Sequence, residues 1–118
     1  MTLTPEILVN AYCQGVFPMA EDDGSIYWYD PDPRAILPLD GLHVSRSLKR
    51  RIRQGGFVVK FNTAFRKVMI ECARPAPGRE KTWISEEFIE VYSQLHSLGF
   101  AHSIEIWMHN RLAGGIYG

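Results

Sequence analysis

SIEIWMHNRLAGGIYG occupies residues 103–118. Its first six residues alternate as an extended chain does: Ile104, Ile106 and Met108 fall on one face, Glu105 and Trp107 on the other. His109-Asn110 supplies a turn, and residues 111–117 return as a second strand, so the segment reads as an antiparallel hairpin. A hairpin alone is marginal in water and leaves an open edge, so it needs further strands or a covering helix. The sequence ends at Gly118, directly after that strand. The expectation is therefore that it forms the front part of a longer protein.

Upstream of the hairpin the period changes. Ser85 caps a helix in which Phe88, Val91, Tyr92, Leu95 and Leu98 form one apolar stripe, closed by Gly99. Asn62 or Thr63 starts another, with Phe65, Val68, Met69 and Cys72 on its inner face. FVVKF (57–61) reads as a strand. Ser45 caps a helix running to about Gln54 and closed by Gly55-Gly56. Thr4-Pro5 opens the first helix, because threonine caps well and proline suits the first helical position. Ile7, Leu8, Ala11 and Tyr12 share a face of that helix, and Gly15 stops it. Residues 20–26 are a polar loop. IYWY (26–29) is a short strand ended by DPDP (30–33), and residues 34–39 are a second short extended piece interrupted by Pro38. Residues 74–82 are a basic, proline-containing loop. This order of elements specifies an α+β protein.

The chain has 118 residues, with 13 Lys+Arg against 13 Asp+Glu, a net charge of zero. Residues 1–40 carry seven acids and one base, residues 41–81 eleven bases and two acids, and residues 82–118 four acids and one base. The local balance is thus −6, +9 and −3, and a polyanion can meet a neutral chain at its middle. Hydrophobic residues make up 46%, ordinary for a globular protein and against wholesale disorder. No apolar run reaches the ~20 residues of a membrane span, and the N-terminus shows no secretory signal. Cys13 and Cys72 stand far apart, which disfavours a disulfide scaffold and fits a reducing cytoplasm.

Arg46, Lys49, Arg50 and Arg53 lie at i, i+3, i+4 and i+7, one narrow helical stripe. Leu48 and Ile52 lie opposite and are placed to anchor the helix to a core. A solvated helix face usually mixes signs to gain i,i+4 pairs. Four like charges repel, and a phosphate backbone turns that cost into salt-dependent affinity. Two readings stand, a solvated face and a polyanion surface, and neither implies sequence readout. Tyr27, Trp28 and Tyr29 put rings on both faces of an extended segment. Trp83, between a basic loop and a helix, is the better candidate for stacking on an unpaired base, against the plainer reading of a core ring.

Other constellations fail. His43, His96, His102 and His109 form no ligand spacing, so no metal site is expected. RLAGGI (111–116) nearly matches the pyrophosphate loop of GNAT-type acyltransferases but has isoleucine at its last position. It also lies in a strand pattern rather than at a helix N-terminus. It reads as a strand with close backbone packing, or one whose glycines leave room for a substrate.

Several blocks together carry a resemblance: AYCQGVFPM (11–19), YWYDPDPRAILPLD (27–40), HVSRSLKR (43–50), PGREKTWIS (77–85), HSLGFAHSIEIW (96–107) and LAGGIYG (112–118). Collinear over essentially the whole chain, they resemble the leucyl/phenylalanyl-tRNA–protein transferase family. The resemblance implies a small N-terminal domain (1–33) followed by the start of a GNAT-like domain (34–118). It implies transfer of Leu, Phe or sometimes Met from aminoacyl-tRNA to proteins beginning with Arg or Lys, marking them for N-end rule degradation in the cytoplasm. No cofactor, metal or membrane is implied. By the same resemblance, Tyr12, Trp83 and Tyr92 stand at the aminoacyl-adenosine end. Met19 stands where many members have tryptophan, and Ile116 at a position lining the side-chain pocket. Arg46, Lys49, Arg50 and Arg53 match the cluster that contacts the tRNA acceptor stem. The family's Glu, Asp and Gln for proton relay lie in blocks beyond this sequence, so no catalytic residue is assigned, and the 118 residues alone are expected to be inactive. The alternatives are a non-catalytic RNA-binding module and an inactive fragment of the enzyme.

Overall fold

Thr4 starts the first helix as its side chain allows: its Oγ1 accepts the Ile7 N–H at 3.2 Å, and Pro5 occupies the first turn. The computed structural model describes residues 2–118. In chain order it contains α1 (Pro5–Cys13), β1 (Phe17–Ala20), β2 (Ile26–Tyr29), α2 (Arg46–Gln54), β3 (Val58–Phe61), α3 (Phe65–Ala73), α4 (Glu86–Ser97), β4 (Ser103–Met108) and β5 (Arg111–Tyr117). The fold is α+β. β1 and β2 form a two-stranded antiparallel sheet, and β3, β4 and β5 a second antiparallel sheet with β4 in the middle. The closing hairpin therefore has the support it requires: β3 covers one edge of β4 and α3 packs on one face.

Leu3, Leu8 and Ala20 from the N-terminal part sit in the same buried cluster as Phe65, Met69, Phe88 and Leu95. The Leu3 N–H also donates to Glu87 Oε1 at 2.7 Å, tying the segment before α1 to α4. Leu3, Leu8 and Ala20 thus share one core with the helices that follow. Burial of these large side chains contributes ~1.5–3 kcal/mol each.

Several elements depart from expectation. Phe17–Ala20 is a strand, paired in register from Phe17 with Tyr29 to Ala20 with Ile26. Residues 34–39 find no sheet partner and lie exposed, since Pro33 and Pro38 deprive this stretch of ladder donors. Leu48 and Ile52 do not anchor α2: both are about half exposed, and the helix reaches β4 through Arg51 Nη2, 3.9 Å from Met108 Sδ. Its tether is Arg51 instead, whose Nη1 donates to Gly55 O at 2.7 Å and whose guanidinium lies over the Phe57 ring. In α4 the buried stripe includes Ile89, while Leu98 ends up exposed.

α3 begins at Phe65, later than Asn62 or Thr63, because Asn62 takes a left-handed turn (φ 57°). Its N-terminal N–H groups find no local side-chain cap. Glu105, fully buried on β4, instead holds Thr63, just ahead of the helix. Its Oε1 accepts the Thr63 N–H at 3.0 Å and the Thr63 hydroxyl, while Oε2 accepts from Ser103 Oγ at 2.6 Å. Burial alone pushes this carboxyl up, but the hydrogen bonds from Ser103 and Thr63 outweigh it and hold it below the usual range. The buried face of β4 is therefore the Ser103–Glu105 face, and Ile104, the neighbour between them, is exposed. A folded-state value below the unfolded one stabilises above the unfolded pKa and is lost as pH falls through the folded one. Glu105→Gln is accordingly expected to cost about 1–3 kcal/mol at pH 7. That difference should narrow below about pH 4. Urea unfolding at both pH values checks this, and a penalty independent of pH contradicts it.

The glycines of β5 have separate reasons. A Cβ at Gly115 would lie 2.9 Å from Val68 Cγ2 of α3, whereas one at Gly114 would meet nothing within 4 Å. Close packing of α3 on the sheet therefore explains Gly115.

Candidate substrate-binding site

The turn after α1, the strand β1, the residue before Ile84, the middle of α4 and the end of β5 surround one cavity of about 510 Å³. Tyr12 and Tyr92, 80 positions apart in the chain, meet through their hydroxyls at 2.6 Å. Tyr92 is buried and held between rings: Phe88 stacks on it at 5.7 Å and Tyr117 meets it edge-on at 6.0 Å. Burial, followed by the hydrogen bond with Tyr12, raises the Tyr92 hydroxyl far above the ordinary phenol range. Burial likewise raises Tyr117 to about 12. Both hydroxyls stay protonated at neutral pH and act as neutral donors or acceptors.

Trp83 is fixed at its backbone, and its ring is half exposed beside Tyr117. Its carbonyl accepts the Ala20 N–H at 3.2 Å, and the next residue, Ile84, is buried with its N–H on Thr82 Oγ1. Lys81 pairs with Asp22 at 2.7 Å, holding the preceding loop to the β1–β2 turn. The indole nevertheless remains 53% exposed. A ring held at its base and open on its face offers a stacking platform at little further entropic cost. Met19 adds an apolar wall from β1.

Among the described residues, Arg34 is the only charged side chain lining the cavity. Its Nη2 donates to Gly15 O at 2.7 Å and reaches Asp30 Oδ1 at 3.3 Å, and its guanidinium lies 5.5 Å from the Phe17 ring centroid. The cavity thus joins flat aromatic walls, neutral hydroxyls and one cation. That set suits a nucleoside carrying an apolar group.

Four of the residues that the sequence singles out, Tyr12, Met19, Trp83 and Tyr92, line this one cavity. Ile116 does not. It is exposed, and it pairs with Ile104 on the sheet face opposite Tyr117. Phe17, Arg34 and Tyr117 also line the cavity, and sequence reasoning misses all three. The only cue to Tyr117 is its place at the end of the hairpin, and the paired prolines before Arg34 conceal its return to Gly15. Arg46, Lys49, Arg50 and Arg53 are all exposed on α2. No acidic residue stands between Gly41 and Ile70. Two more cations of that stretch, Lys60 and Lys67, sit over the Trp107 ring at 5.0 and 5.7 Å.

The chain is also similar to known proteins over its whole described length. Residues 36–118 match the family model described as leucyl/phenylalanyl-tRNA protein transferase, and residues 1–32 match the model of that protein's N-terminal domain. A leucyl/phenylalanyl-tRNA–protein transferase of Herpetosiphon aurantiacus is 56% identical over 117 residues, covering 98% of this chain and 59% of the relative. Those of Rhodospirillum rubrum and Gloeobacter violaceus are 52% and 50% identical, each over 100% of this chain and over 56% and 60% of the relative. The chain spans between half and three-fifths of the length of these curated relatives.

Proposed function

Since the chain belongs to the leucyl/phenylalanyl-tRNA protein transferase family, we propose that the protein of which it forms part moves Leu, Phe or Met from aminoacyl-tRNA to acceptor proteins beginning with Arg or Lys. The product would carry the N-terminal signal that marks such proteins for N-end rule degradation in the cytoplasm. The observation that carries this reading is the meeting of Tyr12, Met19, Trp83 and Tyr92 around one cavity. Trp83 is the platform for the terminal adenine. Tyr12 and Tyr92 place neutral hydroxyls beside the ribose and the ester. Arg46, Lys49, Arg50 and Arg53 hold the acceptor stem by its phosphates, a contact that positions the RNA without reading its bases. Residues 34–118 are then the first part of a GNAT-like scaffold turned from coenzyme A to RNA, which agrees with the imperfect RLAGGI loop.

The reaction is aminolysis of an ester. The neutral N-terminal amine of the acceptor attacks the aminoacyl carbonyl, a C–N bond forms, the C–O bond to the ribose breaks, and the ribose oxygen takes up a proton. The ester is already reactive, so orientation supplies much of the acceleration. Proton relay and oxyanion stabilisation supply more. In this reading the relay groups lie in family blocks beyond these 118 residues. An apolar side-chain pocket separates Leu from Phe weakly and rejects charged residues strongly.

The test is transfer of labelled Phe from Phe-tRNA to a protein beginning with Arg. The chain extended to its relatives' length is expected to transfer label, and residues 1–118 alone are not. An extended protein that binds Phe-tRNA but leaves the acceptor unlabelled overturns the enzymatic reading in favour of an RNA-binding module.

A further inference from the structure

We propose that Arg34 is a binding residue for the RNA donor, pairing with the phosphate on the 5′ side of the terminal adenosine held in the cavity. The assignment rests on the aminoacyl-tRNA reading above and adds to it the group that Arg34 recognises.

Charge sets the problem. The cavity contains aromatic rings, Met19, neutral tyrosine hydroxyls and a single ionised side chain, Arg34. An aminoacyl-adenosine has a neutral base, a neutral ribose, a neutral ester and an amino group that is neutral or positive. It offers a guanidinium neutral acceptors but no anion to pair with, and its amino group, when protonated, is repelled by one. The nearest anion on the donor is the phosphate linking this nucleoside to the preceding nucleotide. A guanidinium presents donors in a planar fork that suits a phosphate in two-point contact.

The donors are available. The hydrogen bonds of Arg34, to Gly15 O and Asp30 Oδ1, both use Nη2. Nη1 and Nε have no hydrogen-bond partner among the described residues. The side chain is 39% exposed, and its partner Asp30 is more exposed still. Arg34 is thus oriented by Gly15 O, steadied on the Phe17 ring and open to solvent on its remaining edge. Gly15 follows the end of α1, the helix that carries Tyr12, so the cation is held to the element that presents a cavity hydroxyl. This contact is separate from the α2 stripe, which meets phosphates elsewhere on the RNA.

The test uses the full-length protein and two stable donor analogues, 3′-phenylalanylamido-3′-deoxyadenosine with and without a 5′-phosphate, with Kd measured by calorimetry. The wild-type protein is expected to prefer the phosphorylated analogue by about tenfold or more, as for a hydrogen bond to a charged group. Arg34→Gln is expected to bring that preference close to one, and Arg34→Lys to retain part of it. A purely structural role for Arg34 would weaken both analogues alike and leave the ratio unchanged, which overturns the assignment. Equal binding of the two analogues by the wild-type protein overturns it as well. Binding of neither analogue by the wild-type protein is a different failure: it removes the aminoacyl-tRNA reading itself, and the proposal with it.

Discussion

Reversing Arg46, Lys49, Arg50 and Arg53 to Glu in the full-length protein is expected to weaken tRNA binding by orders of magnitude at low salt and to flatten its salt dependence. Each phosphate that a cation neutralises releases condensed counterion. The slope of log affinity against log salt therefore falls by about 0.9 for every phosphate left unneutralised, on duplex RNA of DNA-like charge density. Four such phosphates make the expected change about 3–4, large enough to separate from a general charge effect. The fold is expected to survive. None of the four is buried, the side chain that ties α2 to β4 is Arg51 and stays in place, and glutamate is as good a helix former as arginine. Filter binding or anisotropy over a salt series gives the slope, and a melting curve checks the fold. An unchanged slope with a large loss of melting temperature removes the stripe from the RNA interface.

Trp83→Ala separates binding from stability in the other direction. Trp83 is half exposed, so truncation deletes about half the buried surface that a core tryptophan would lose. The backbone contacts from Ala20 and around Ile84 do not depend on the side chain. Stacking of one base on an aromatic ring contributes about 1–3 kcal/mol. KM for Phe-tRNA is therefore expected to rise by about fivefold to a hundredfold, with a moderate change in melting temperature. Trp83→Phe is expected to restore part of the loss because it keeps an aromatic face. Normal KM in a strongly destabilised protein returns Trp83 to a role in packing.

What is legible in the sequence is local chemistry. Thr4, Ser45 and Ser85 each accept the N–H three residues on, and each begins the helix that its residue type predicts. Glycine ends are equally plain, as at Gly99 after α4. Where a partner comes from far along the chain, local reading fails. Thr63, just ahead of α3, is held by a carboxylate more than forty residues away, and the sequence places the helix start two to three residues early. Alternation in 103–108 locates the strand but not its inward face, because hydrogen bonding makes Glu105 the buried residue while Ile104 is exposed. The strand β1 escapes a local reading because its residues gain meaning only opposite β2.

The candidate site divides along the same line. The stripe on α2 is a matter of spacing and is visible at once. The residue types of the cavity are visible too, but their convergence is not derivable from spacing, since Tyr12 and Tyr92 meet only after α1 packs on α4. Ile116 lies outside this cavity, while its neighbour in the chain, Tyr117, lines it.

The solitary setting of α2 bears on how affinity should be interpreted. A nine-residue helix that touches the sheet through one side chain draws its order from the Ser45 cap, the Arg51 tether and backbone propensity, against the mutual repulsion of four cations. Phosphates that neutralise those cations also stiffen the helix. In the proposed complex, part of the free energy of RNA capture would then be used in preorganisation. The measured constant accordingly reports both contact and ordering, and substitutions that favour the helix without touching RNA raise affinity as surely as an added lysine.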